Sequence, residues 1–291
     1  MLLIMSKDNL FLSASVLLGA LAIGGAILWA APSPSVRERS AAVERPAQDA
    51  ETELPVHWGT LGRGLAETGV IDKEQFLALY ASNPTLAKEA ERMLTEDVTE
   101  PLRISSRNAG LLLNLLWALG LGNKNDVLEK GPMMDRAYGG ADRFASTAGW
   151  TLARGNAMEH YARHAFITLT PEEQALVERT SKNIYRPCCG NSAYFPDCNH
   201  GMAMLALLEL LASQGATEQE LYRAALVANS LWFPDTYATI ERYFEKKGVA
   251  WDAVDPKEAL GYRYSSAAGY QRVLSEVEPV SEDAGGSCGV Q

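Results

Sequence analysis

The 291-residue chain lacks most of the strings that announce a reaction. It has no dinucleotide fingerprint and no P-loop, because GGADRF and LGLGNKN have no strand before them to make a phosphate cradle. The strand-turn-helix serine elbow of hydrolases is missing too. The order Glu159-His160-x-x-x-His164 departs from H-E-x-x-H, which excludes the zincin arrangement. No run of lysine or arginine forms a basic stripe, and the formal net charge is -10. Phosphate-backbone attraction therefore has no footprint, and no nucleic-acid partner is expected. Cysteine and histidine are scarce, at four each, and there is no C-x-x-C.

One long apolar run is present. Leu10 to Ala31 carries no charge and is long enough, at ~1.5 Å per residue, to cross a ~30 Å hydrocarbon core. It exceeds the usual ~7–15-residue core of a signal peptide, and Leu28-Trp29-Ala30 is a poor cleavage site, so the expectation is an uncleaved transmembrane signal anchor. The expected organisation is a short tail (1–9), the anchor (10–31), a disordered tether (32–54), an all-α domain (55–276) and a flexible Gly-rich tail (277–291). The charges flanking the run favour neither side clearly. A single-pass membrane protein with its large C-terminal domain in an extracytoplasmic, periplasm-like compartment is the expected localisation.

The domain reads as a series of helices with little resembling a strand. Asp72 with Gln75, Asn83-Pro84, Thr170-Pro171 with Glu173, Thr217 with Glu220 and Asp255-Pro256 are helix starts in which a short polar side chain caps the first turn. The apolar AGLLLNLLWALGLG is too short to span a bilayer and fits a buried central helix. Asn156 and Glu159 suggest a further helix through NAMEHYARHAFITL, and Gly248 is placed to stop the helix that begins at Pro234. Pro55 to Gly69 reads as an irregular lead-in. The fold class is all-α, a multi-helix globular domain behind a single N-terminal transmembrane helix.

Chemistry concentrates between Arg186 and Gly201, which holds Cys188, Cys189, Cys198 and His200 among proline, glycine and asparagine. Asp197 or Asn199 is the expected N-cap of the apolar helix that follows, which would place Cys198 in the positive field of its first turn. Three thiolates and an imidazole form a soft ligand set suited to Cu(I) or Zn, although Cys-Cys-x8-Cys-x-His matches no standard zinc spacing. Cys288, His160, His164 and Met202 are additional candidate ligands. No general base can be assigned, so non-enzymatic metal binding is favoured over catalysis. The alternatives are a thiol-disulfide oxidoreductase using the Cys188/Cys189 pair, or a structural domain whose cysteines are inert disulfides.

Overall fold

The computed structural model describes residues 51–277. The Leu10 to Ala31 run, Cys288 and most of the tether and tail lie outside the described residues. Within them no helix is long and apolar enough to cross a membrane.

The described chain is mainly helical, with one departure at its start. Thr52–Gly59 forms strand β1, which pairs antiparallel with β2 (Val98–Ile104), Thr52 opposite Ile104 and Gly59 opposite Val98. The expected irregular lead-in, Pro55 to Gly69, is thus corrected to the end of β1 followed by a helix over Leu61–Thr68. The cause of the strand is the alternation of Leu54, Val56 and Trp58, all buried while their neighbours face out. Three helices separate the strands, α1 (Leu61–Thr68), α2 (Lys73–Ala78) and α3 (Pro84–Thr95). Trp58 ties the sheet to them by donating its Nε1–H to the Met93 carbonyl at 2.9 Å.

Two apolar helices form the centre, α4 (Ala109–Gly122) and, further along the chain, Asn199–Ser213. Both are buried over most of their circumference, as uniformly apolar helices must be. Gly120 sets their separation, because a Cβ there would lie 2.3 Å from the Met202 carbonyl oxygen. Between them come α5 (Asp126–Lys130), short 3-10 turns, α6 (Ala145–Ala148) and α7 (Pro171–Ser181). The helix Asn199–Ser213 is accordingly α8, followed by α9 (Glu218–Trp232), α10 (Pro234–Lys246), α11 (Pro256–Ala259), α12 (Tyr262–Ser265) and α13 (Ala267–Val277).

Several helix starts follow the sequence reading. Asp72, Asn83 and Asp255 cap their helices through side-chain oxygens, and Thr170 and Thr217 form full capping boxes with Glu173 and Glu220. Gly248, at φ 80°, follows α10 in the left-handed conformation that favours glycine.

The expected helix over NAMEHYARHAFITL is corrected. Only a 3-10 turn, Ala157–Glu159, forms there. The amides of Ala162, Arg163 and His164 instead bond the carbonyls of Leu121 and Gly122, and Ala162 takes φ 51°. The segment satisfies carbonyls that the end of α4 leaves open, which competes with continuing a helix of its own.

Candidate metal and thiol site

The cysteine loop hangs between α7 and α8. It is closed by an isolated bridge between Tyr185 and Ser192 and by the Ala193 amide donating to Ile184 at 2.8 Å. The Tyr194 amide bonds Ser181 at the end of α7. The Ala267 amide, at the start of α13, donates to the Cys189 carbonyl at 3.0 Å. The loop is therefore clamped from elements on both sides in sequence.

The cap of α8 differs from the expectation. Neither Asp197 nor Asn199 caps it; Cys198 is the N-cap, in an extended conformation (φ -122°, ψ 166°), and its Sγ accepts the Gly201 amide at 3.4 Å. The reason lies one layer down, in Arg186. This side chain is fully buried beneath the loop, and its Nη2 donates to Asp197 Oδ1 at 2.7 Å. Asn191 Nδ2 donates to the other Asp197 oxygen at 2.8 Å. Neutralising a buried guanidinium is worth more than capping a helix, so Asp197 turns away from the α8 amides and the cap falls to a sulfur. Gly201 makes room for this arrangement, since a Cβ there would meet Arg186 Cζ and Nη2 at 2.7 Å.

The sulfurs are close and unbonded. Cys188, Cys189 and Cys198 are free, half-buried thiols, and the Sγ atoms of Cys188 and Cys198 lie 3.6 Å apart. Arg186 Nη2 also donates to Cys189 Sγ at 3.2 Å and to Cys198 Sγ at 3.5 Å. Hydrogen bonds from the Cys188 and Cys189 thiols, then the Arg186 charge, hold Cys198 well below the usual thiol range against its burial. Contacts with Cys189 and Cys198, together with burial, push Cys188 up. Cys189 is pulled down by Cys188, but its contact with Cys198 and its burial outweigh that and push it up to about 11. Burial would lower Arg186, yet Cys198, Cys189, Cys188 and Asp197 hold its charge firmly in place. Of the three sulfurs, Cys198 is the one whose surroundings favour the thiolate.

Two sets of three side chains bring ligand atoms within 4.8 Å of one another: Cys188 with Cys198 and His200, and Cys189 with Asp197 and Cys198. The first set can hold a metal ion. An ion ~2.3 Å from both sulfurs would see Cys188 and Cys198 at an angle of about 103°, close to tetrahedral. His200 is fixed beside them, its ring 4.4 Å from that of Phe233 and 6.0 Å from that of Trp232. Its Nδ1 is buried and has no hydrogen-bond partner among the described residues. In the second set, Arg186 Nη2 already contacts all three ligand atoms, so a guanidinium stands where a cation would bind.

The other candidates lie elsewhere. His160 and His164 are brought together, Nδ1 to Nε2 at 3.1 Å, with His160 Nε2 3.1 Å from the Arg154 carbonyl, but neither joins the cysteine cluster. Burial, then the neighbouring His160 and Arg163, lowers the pKa of His164. Met202 is buried in the α4/α8 contact against Gly120. Sequence reasoning missed Arg186 as a site residue. The available signal was Gly201, a glycine in the first turn of a helix whose next seven residues, Met202 to Leu208, are all apolar.

Searches against protein-family models, curated proteins and solved structures find no match for this chain.

Proposed function

We propose that the chain binds one soft metal ion, Cu(I) or Zn(II), through Cys188, Cys198 and His200, and that its role is binding or delivery rather than turnover. The observation that carries this reading is the convergence of two unbonded sulfurs and an imidazole within 4.8 Å, the imidazole Nδ1 having no hydrogen-bond partner among the described residues. Thiolate and imidazole are the donors that select these ions over hard cations. Three ligands suffice for Cu(I); Zn(II) prefers a fourth, which Cys189 supplies by turning from Arg186. Arg186 offsets the negative charge that two or three thiolates bring to the site.

The same proposal places the site on a membrane-anchored, extracytoplasmic chain. Its support is the uncharged Leu10 to Ala31 run in the sequence.

Competition titration of the reduced full chain against chromophoric chelators tests the metal reading, with Cu(I) and Zn(II) run separately. One equivalent should bind, and Cys188→Ser, Cys198→Ser and His200→Asn should each weaken it at least about 100-fold. A wild-type chain that retains neither ion, or variants that bind as it does, would refute the assignment.

A further inference from the structure

We infer that the metal-free site is a target for hydroperoxides, which oxidise it to a Cys188–Cys198 disulfide, with Cys198 as the attacked sulfur and Cys188 as the resolving one. The inference shares two residues with the metal reading, but its reactant is the metal-free thiol pair.

The pairing follows from geometry. Cys188 Sγ lies 3.6 Å from Cys198 Sγ, so a modest closure reaches the ~2.05 Å of a disulfide. Cys189 is held differently. Its sulfur accepts from Arg186 at 3.2 Å and approaches the Asn191 carbonyl and Asp197 Oδ1 at 3.8 Å each. A bridge between Cys188 and Cys189 is disfavoured on covalent grounds, because adjacent Cα atoms across a trans peptide are ~3.8 Å apart and disulfides need about 4.4–6.8 Å.

The roles follow from the donors. Cys198 Sγ accepts hydrogen bonds from the Gly201 amide, at the N-terminus of a fifteen-residue helix, and from the guanidinium of buried Arg186. Donors of this kind favour sulfur in its nucleophilic form. All three cysteines are half-buried, which suits a small oxidant better than a bulky disulfide.

The chemistry balances. The Cys198 thiolate attacks the peroxide, forming an S–O bond as the O–O bond breaks; the departing oxygen takes a proton and leaves as water or an alcohol. The Cys198 sulfenic acid is then attacked by Cys188, the S–S bond forms, and the S–O bond breaks. Hydroxide leaves with the Cys188 proton as water. Two thiols lose two electrons, and the peroxide gains them.

The test uses the full chain, reduced and metal-free, treated with hydrogen peroxide, quenched by alkylation and mapped by peptide mass spectrometry. The expected product is a Cys188–Cys198 linkage. Cys188→Ser should leave Cys198 as a sulfenic acid that dimedone traps, and Cys189→Ser should still form the linkage. Cys198→Ser should lower the rate of thiol loss at the loop at least about tenfold. Serine keeps the N-cap of α8, and circular dichroism checks that this variant is folded. A Cys188–Cys189 or Cys189–Cys198 product, or a folded Cys198→Ser chain reacting at the wild-type rate, would overturn the inference. In a parallel arm, one equivalent of Zn(II) should slow oxidation at least tenfold. If the linkage forms equally fast with Zn(II) present, the Zn(II) assignment fails while this inference stands.

Discussion

Removing the Asp197 carboxylate separates two accounts of the cysteine loop. If Asp197 only capped α8, Asp197→Ala would cost about 1 kcal/mol. In the structure it is instead the carboxylate that pairs with Arg186, at 2.7 Å, and Arg186 is fully buried with Nε and Nη1 lacking hydrogen-bond partners among the described residues. Deleting one member of a buried ion pair costs about 3–5 kcal/mol because the other charge is stranded. The low end applies here, since the Asp197 side chain is 20% exposed and Cys198 Sγ remains 3.5 Å from Arg186. The expected loss is about 3 kcal/mol, or a fall in Tm of about 6–12 °C for a chain of this size. Urea denaturation of wild type, Asp197→Ala, Arg186→Met and the double variant gives the coupling directly. The double variant should lose much less than the sum of the singles. A loss of 1 kcal/mol or less for Asp197→Ala, with additive singles, would refute the buried-pair account.

Three further outcomes follow from other parts of the molecule. Glu209 on α8 is fully buried, accepts from Asn123 Nδ2 at 2.6 Å and from no other group among the described residues, and burial pushes its pKa up to about 8. The native state then holds a proton that the unfolded state has released above pH ~4.5, so stability falls as pH rises from there to about 8. Relative to Glu209→Gln, the wild type should weaken by up to about 1.4 kcal/mol per pH unit across that window, and parallel curves in thermal melts would contradict this. Gly120→Val should destabilise by several kcal/mol, measured in urea, because its side chain meets the Met202 carbonyl of α8. Thr217→Ala should lose about 1 kcal/mol through the α9 capping box, and a neutral result would discount that cap.

The helical class was legible because its signals are local. A threonine and a glutamate three residues on cap the same turn whatever the tertiary context, and both capping boxes form. The β1–β2 pair was harder to see because it is non-local. Each strand carries a proline, and three helices lie between them. The His160 segment misled for a related reason: its capping residues are real, and Asn156 does cap the 3-10 turn. The open carbonyls of α4 then outcompeted helix continuation, and nothing in the local sequence encodes that. At the cysteine loop the spacing showed which ligand types gather there. It could not show that Arg186 folds beneath them and draws Asp197 away from the helix end, because that depends on the burial of one long side chain against Gly201.

X-ray absorption at the metal edge of the loaded full chain tests the central claim most directly. With the ion held by Cys188, Cys198 and His200, the first shell should contain two sulfurs near ~2.3 Å and one imidazole nitrogen near ~2.0 Å, with a third sulfur allowed for Zn(II). Cys198→Ser should remove one sulfur from that shell. A shell of oxygen and nitrogen alone, or one unchanged by Cys198→Ser, would contradict the account.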